Sequence, residues 1–351
     1  MDWVGELRSG NKLAIARLLT QVENDTPQGR AALDEIFPHT GRAHLVGVTG
    51  APGVGKSSLV TQIAWACRHP QDGKPPRTVA IIAVDPTSPF SGGAILGDRV
   101  RMRDLSGDPG VFIRSMATRG ALGGIARTTV ELVQVLDTAG YEMILVETVG
   151  AGQSEVEVAS LTQTTIVVEA PGLGDDIQAT KAGILEIGDI LVINKADLPG
   201  SDAAERALRA MLELRGGISP GDELHHGFLT ELDTLENTPE RDTHWNVPVL
   251  RCIATNREGT AELLRVIDEH YEYLKRSGEL RRREWARITL AFERLIQQTL
   301  VERWRKQISA NQVENVMRQL YRRKLSPYQA LAILIPEYAP NLVSAGSKLP
   351  S

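Results

Sequence analysis

Only two cysteines, Cys67 and Cys252, occur in the 351 residues, far apart and in no paired motif. That excludes a disulfide framework and a cysteine-rich metal site. There is no excess of basic charge either. The formal net charge is −5, so no positive field points to nucleic acid or to an anionic membrane surface. No apolar run is long enough to span a bilayer. The first twenty residues carry Asp2 and Glu6 without a long apolar stretch, so they do not read as a secretory signal. Internal repeats and low-complexity tracts are also missing. The expectation is a soluble protein without nucleic-acid or membrane partners, in a reducing cytoplasm or an equivalent matrix compartment. The one short basic run, Arg281-Arg282-Arg283, reads as a solvated helix face.

What is present is ordinary globular composition, with 42% hydrophobic and 24% charged residues, enough for a substantial core. The length suits one large α/β domain with helical appendages. Residues 1–40 read as a helical segment, with Trp3 and Leu7 one turn apart and a stripe of Leu13, Ile15, Leu18, Leu19 and Val22. Pro38 and Gly41 then punctuate the chain. From there to about residue 278 short apolar runs alternate with amphipathic segments, the pattern of a wound, mostly parallel sheet. The expected strands are Leu45–Thr49, Val79–Val84, Val111–Arg114, Met143–Glu147, Thr165–Glu169, Ile190–Asn194 and Val247–Ile253. Helical patterns cover Lys56–Arg68, Ile125–Ala139, Ala203–Leu214 and Thr260–Lys275, and Gly216–Glu240 reads as a polar excursion. Residues 279–351 show no strand signal. Trp285, Ile288, Phe292, Leu295, Ile296, Leu300 and Trp304 recur there at helical spacing. Further helices are expected over Val313–Arg322 and after Pro327.

Gly50-Ala51-Pro52-Gly53-Val54-Gly55-Lys56-Ser57 fits G-x-x-x-x-G-K-[ST] between a strand and a helix. Glycines let such a loop turn tightly, so that successive N–H groups face one anion, and the helix that follows points its positive end at the same place. Lys56 would reach the β- and γ-phosphates, the Ser57 hydroxyl would ligate Mg²⁺, and Ser58 stands beside it in the first helical turn. Magnesium needs more oxygen ligands. Asp85 and Glu147 end strands, and Asp98 lies in the loop after Asp85. In a parallel sheet these strand ends gather at the edge where ligands bind.

The other end of the site is Asn194-Lys195-Ala196-Asp197, directly after the apolar run Ile190–Ile193. This N-K-x-D arrangement resembles the guanine-specificity motif of GTPases. An aspartate accepts from both N1–H and the exocyclic amino group of guanine, whereas adenine has an unprotonated N1 and no amino group at that position. Asp197 would therefore select GTP, with the stem of Lys195 along the base plane. Ile253-Ala254-Thr255, after the last strand, would add a contact from the Ala254 N–H. Ile253 stands where a serine is usual in GTPases.

Three glycine-rich loops begin at strand ends facing this site: residues 85–99, 147–155 and 171–181. They are candidates for ordering by γ-phosphate and Mg²⁺. Gly150 would donate to the γ-phosphate and Gln153, or a loop acid, would orient the attacking water. Arg101 reads as a solvated arginine rather than a finger in cis.

The blocks Asp85-Pro-Thr-Ser-Pro-Phe-Ser-Gly-Gly, Gly97-Asp98-Arg99, Glu147-Thr-Val-Gly-x-Gly-Gln-Ser-Glu155 and Pro171-Gly-x-Gly-Asp175 together resemble the MeaB family, over nearly the whole chain. These G-protein chaperones of adenosylcobalamin-dependent acyl-CoA mutases are related to the methylmalonic aciduria type A protein. The resemblance implies a SIMIBI-class phosphate-loop NTPase and a homodimer formed through the C-terminal helices. It also implies three switches, with Asp85, Asp98 and Glu147 near Mg²⁺ and Asp175 and Lys181 in switch III. GTP hydrolysis would gate delivery of adenosylcobalamin to a mutase, the cofactor entering only through that partner. The client would be a methylmalonyl-, isobutyryl-, ethylmalonyl- or 2-hydroxyisobutyryl-CoA mutase. Ala151 and Ile253 depart from the family pattern. A nickel-inserting GTPase would call for clustered histidines or cysteines, of which only His225-His226 are adjacent. A transport-linked ATPase or kinase conflicts with Asp197.

Overall fold

In a computed structural model, the structure describes residues 2–71, 73–86, 102–105, 107–118, 124–148, 153–172, 187–214 and 244–335. Asp98, Gly150, Asp175, Lys181 and the 216–240 excursion lie outside them, as do most of the three glycine-rich loops. The chain divides into one unit over Met1–Ala291 and a second over Phe292–Ser351.

The first unit is built on seven parallel strands: β1 His44–Thr49, β2 Val79–Pro86, β3 Val111–Thr118, β4 Met143–Glu147, β5 Thr164–Glu169, β6 Ile190–Asn194 and β7 Val249–Cys252, in the order β3-β2-β4-β1-β5-β6-β7. β1, β4 and β6 are buried at every position, as strands covered on both faces must be. Side chains of one strand alternate between faces, and the core divides accordingly. Val46, Val48, Leu145, Ile166, Val168 and Val192 meet helices α4 (Lys56–Arg68) and, further along the chain, α8 (Thr260–Ser277). On the opposite face, Leu45, Ala80, Ile82, Ile144 and Val146 meet α1 (Trp3–Arg8), α2 (Lys12–Glu23), α3 (Pro27–Ile36) and α5 (Gly124–Thr138). Val167, Leu191 and Ile193 pack with α7 (Ser201–Leu214) there, while α6 (Gln153–Leu161) precedes β5.

The N-terminal helices therefore share the sheet's core. Leu7, Ile15, Leu18 and Leu19 are fully buried, while Leu13 is 58% exposed. Leu13 precedes Ile15 by two residues, about 200° of helix rotation, which turns it to solvent and removes it from the expected stripe. Asn11 caps α2, and Thr26 caps α3 with Pro27 in its first turn. β3 runs four residues past its expected end because all eight of its residues pair with β2. β7 begins two residues later than expected and ends one earlier, where Ile253 leaves the sheet to bridge antiparallel to Glu258.

Helix α9 (Glu279–Gln307) begins in the first unit. Its basic run departs from a solvated face. Arg283 is 9% exposed and makes a two-pronged pair with Asp189, both contacts 2.9 Å, while also donating to the Gln163 carbonyl at 2.6 Å. His270 Nε2 lies 3.4 Å from the same carboxylate, and the Thr165 N–H donates to it at 2.8 Å. Burial alone would raise the Asp189 carboxyl, but Arg283 and His270 outweigh that and hold it well below the usual carboxylate range. His270 Nδ1 and His44 Nε2 share the Thr164 hydroxyl, each at 2.8 Å.

In the second unit, the remainder of α9 is followed by α10 (Ala310–Tyr321) and α11 (Pro327–Leu334). Ser309 and Ser326 start the two helices with capping boxes through Gln312 and Gln329. Trp304 Nε1 donates to the Leu334 carbonyl at 3.1 Å. Phe292, Leu300, Met317, Tyr321 and Tyr328 are each more than half exposed.

Breaking a buried ion pair leaves the other charge uncompensated, at about 3–5 kcal/mol. Arg283→Met is therefore expected to lower the urea unfolding free energy by about that much; a loss under about 1 kcal/mol contradicts the role given to this pair. Burial, with repulsion from His270, Arg77 and Lys275, holds the His44 imidazole well below its ordinary range. The unfolded chain takes up this proton near pH ~6.5 and the folded one resists it, so the stabilisation is whole above that pH and is lost on acidification. Unfolding free energy should fall between about pH 7 and 5, and His44→Asn should flatten that slope. An unchanged slope in the variant contradicts the assignment.

Candidate functional site

β1 ends at the carboxyl edge of the sheet, and the glycine loop turns there into α4. Gly50, Gly53 and Gly55 take φ of +136°, +83° and +94°, which side-chain-bearing residues rarely adopt. A Cβ on Gly50 would collide with the Val168 carbonyl oxygen, and one on Gly55 with the Asn194 amide. Gly55 starts α4 in the left-handed region without a side-chain cap. The first-turn N–H groups of Lys56, Ser57 and Ser58 are thereby left to an external acceptor.

Lys56 is 6% exposed, and its Nζ donates to the carbonyls of Gly50 at 2.7 Å and Ala51 at 3.0 Å. The ammonium is therefore already inside the loop, on neutral acceptors that an anionic oxygen outcompetes. Ser57 Oγ donates to Glu147 Oε1 at 2.6 Å, both residues being buried. The strand register puts Glu147 beside Val48 of β1 and Ala83 of β2. Asp85 lies two residues further along β2, at the same edge. Thr148 stays fastened to β1, its N–H donating to the Val48 carbonyl at 3.2 Å and its hydroxyl to Thr49 Oγ1 at 3.0 Å. No motif marks this threonine pair, and nothing in the residue types at a strand end would have found it.

Asn194 ends β6 and is 2% exposed. Its Nδ2 donates to the Val54 carbonyl at 2.8 Å, and its Oδ1 accepts from the Ala254 N–H at 3.1 Å. The Ala254 amide, expected at the base, is thus engaged by Asn194. Lys195 sits at φ +56° and donates from Nζ to the Gly53 carbonyl at 2.8 Å. The turn closes through Leu198 N–H to the Lys195 carbonyl at 3.0 Å and is held to β7 by Ala196 N–H to the Cys252 carbonyl at 3.1 Å. Asp197 is exposed at its tip. Ile253 is half-buried and Thr255 exposed, in a turn closed by Asn256 N–H to the Ile253 carbonyl at 2.9 Å. Pro52 is exposed and Val54 fully buried, the latter anchoring the loop from beneath. The structure thus gathers Gly50–Ser58, Glu147, Asn194–Asp197 and Ile253–Thr255 at one edge. Gln153, expected within the second glycine-rich loop, opens α6.

The donors beside Ser57 are hard oxygens, a hydroxyl and a carboxylate, and they fit Mg²⁺. Among the described residues no group of three His, Cys, Asp or Glu could hold a metal. An ion here would take its remaining ligands from phosphate oxygens and water.

Removing the Asn194 amide leaves a buried carbonyl and a buried N–H unpaired, at about 1–3 kcal/mol each. Asn194→Ala is expected to lose both folding stability, read by urea unfolding, and nucleotide affinity, read by titration with a fluorescent GDP analogue. Native stability in that variant contradicts the bridge.

A family model described as methylmalonyl Co-A mutase-associated GTPase MeaB matches residues 15–309. A putative GTPase of Pyrococcus abyssi is 40% identical over 336 residues, covering 96% of both chains. The mitochondrial methylmalonic aciduria type A homolog of Caenorhabditis elegans is 33% identical, over 79% of this chain and 67% of that one. Among solved structures, one titled LAO/AO transport system kinase superposes with a TM-score of 0.61 and 26% identity, over 95% of this chain and 96% of that one. With a phosphate loop, an N-K-x-D turn and a parallel sheet arranged in this way, the chain is a phosphate-loop GTPase and belongs to the MeaB family.

Proposed function

We propose that this GTPase is a chaperone that gates adenosylcobalamin loading onto a cobalamin-dependent acyl-CoA mutase, and protects or restores that enzyme. The observation that carries the reading is the 2.6 Å contact between Ser57 of the phosphate loop and Glu147. Glu147 is the last residue of β4, directly before the second glycine-rich loop. An event at the phosphate end is thus one side chain away from a segment able to signal to a partner. The family match, whose description names methylmalonyl-CoA mutase, supplies the class of partner.

In this mechanism Asp197 selects guanine with its carboxylate. The first turn of α4 and Lys56 hold the β- and γ-phosphates. Ser57 and Glu147, with Asp85 and Asp98, would hold Mg²⁺, which when bound would supply positive charge against the phosphoryl oxygens. Gly150 donates to the γ-phosphate and Gln153 orients water, while Asp175 and Lys181 carry the change to the mutase. No arginine finger is assigned among the described residues, and on this proposal unaided hydrolysis is slow and the partner completes the site. Two buried free cysteines suit the cytoplasm, and no described helix is long and apolar enough to cross a membrane. Nothing among the described residues favours nickel delivery.

The half-exposed apolar residues Phe292 and Leu300 support a homodimer through the C-terminal helices. Light scattering should give a dimer, and Phe292→Glu with Leu300→Glu a monomer; a dimeric double variant refutes that interface. The client test is co-purification with candidate acyl-CoA mutases under GDP and under a non-hydrolysable GTP analogue. A complex that responds to nucleotide in the native protein, and no longer does in Glu147→Gln, is expected. Absence of every mutase, or a complex indifferent to nucleotide, defeats the proposal.

A further inference from the structure

The turn after β7 is braced within itself. The Ile253 N–H donates to the Glu258 carbonyl at 3.0 Å and the Asn256 N–H to the Ile253 carbonyl at 2.9 Å, so residues 253–258 close as one small hairpin before α8. Its root is tied to the Asn194 side chain through the Ala254 N–H at 3.1 Å. Thr255, Asn256, Arg257 and Glu258 are all exposed. A turn that is stiff inside and held at its root can still pivot as a body. Fixing its angle takes another contact, made from the tip.

Arg257 reaches α4 from that tip. Its guanidinium carbon lies 4.0 Å from the centroid of the Trp65 ring, well inside cation–π range. Trp65 stands on α4 about 13 Å along the axis from Lys56 at the phosphate end. The indole is half-buried and packs against the core on the α4 face of the sheet, and His69 stacks on it with ring centroids 4.5 Å apart. The arginine therefore rests on a fixed platform, and it has no carboxylate partner among the described residues. Its backbone is unusual as well. Of the four side-chain-bearing residues at positive φ among those described, Lys195 at +56° and Arg257 at +64° lie in the two turns of the base end. Glycine or asparagine takes this conformation at less cost than arginine. Strain of this kind persists where the surroundings hold it, and the indole is what holds Arg257.

We propose that Arg257 is a positioning residue for the purine: by resting on Trp65 it fixes the 253–258 turn against the helix that grips the phosphates, and so slows nucleotide release. Two parts of α4 then serve one ligand, its first turn directly and its third turn through the arginine. With its guanidinium on the indole, Arg257 acts on binding through the turn and leaves the hydrolytic step alone. The inference rests on this turn serving the base, and adds what sets the turn's angle. It is independent of the mutase reading.

The test is stopped-flow release of a fluorescent GDP analogue from the full chain, with GTP turnover and competition by inorganic pyrophosphate measured alongside. Arg257→Asn removes the cation and keeps a residue tolerant of the left-handed region. It should speed release about two- to fivefold, the range of an exposed cation–π contact, and raise KM for GTP with kcat native. Arg257→Lys keeps the cation and should release at close to the native rate. Trp65→Leu should also speed release, and Arg257→Asn should add nothing in its presence. Pyrophosphate uses the phosphate loop alone, so its competition should be native in Arg257→Asn. Native release from Arg257→Asn, a lysine variant as fast as the asparagine one, or additive effects of the two substitutions overturns the proposal. Weaker competition by pyrophosphate overturns it too, since the damage then lies in α4 itself. GDP and ADP affinities of the native protein separate the two readings. Equal affinities remove the base turn and the proposal with it, whereas a GDP preference with native release from Arg257→Asn removes the proposal alone.

Discussion

One buried amide holds the nucleotide site together. Asn194 donates to the Val54 carbonyl of the phosphate loop and accepts from the Ala254 N–H of the loop after β7. β1, β6 and β7 each send a loop to the carboxyl edge; β6 and β7 are paired, but β5 stands between β1 and β6, so strand pairing cannot connect the phosphate loop to the other two. A side chain with one donor and one acceptor can. Replacement by aspartate would lose the donor, and an aliphatic residue would lose both. The distance between the purine end and the phosphate end is thus set by a single residue, with Lys195 on the Gly53 carbonyl as a second tie.

The two edges of the parallel sheet do different work. At the carboxyl edge, glycines with positive φ leave backbone N–H groups turned outward, and Lys56, Ser57 and Glu147 lie within one cluster of short contacts. At the amino edge the polar groups are turned on one another. Asp189, Arg283, His270, Thr164 and His44 form one buried polar chain, hydrogen-bonded except at the 3.4 Å approach of His270 Nε2 to Asp189, that fastens the start of α9 to the mouths of β1, β5 and β6. A network this deep is tolerated only when its members are paired. It explains why the first turns of a charged helix belong to the globular unit.

Much of this was legible in the residues. The strand β4, the strand β6 and the helix α4 fall on the expected bounds, because uniform apolar runs and the glycine-to-lysine transition leave little alternative. The convergence of Ser57, Glu147 and Asn194 on one edge follows from strand order and parallel direction, which the alternating pattern already implied. Other features were beyond reach. Arg283 looks like its neighbours Arg281 and Arg282, and only the tertiary position of Asp189, 94 residues away, distinguishes a buried arginine from a solvated one. Asn194 reads as part of a base motif, while its partners Val54 and Ala254 offer only backbone groups that no side-chain pattern reveals. Leu13 scores as apolar wherever it stands, and its exposure is decided by the phase of the helix against the sheet.

The central claim is that one carboxylate, Asp197, reads the purine at a distance from the phosphate cradle fixed by Asn194. Calorimetric titration of the native protein with GDP, IDP and ADP in Mg²⁺ tests it most directly. All three share the diphosphate, IDP lacks only the exocyclic amino group, and ADP also lacks the N1 proton. The account expects GDP to bind tightest, IDP next, and ADP weaker than GDP by about a hundredfold or more. Equal affinities for GDP and ADP would contradict it.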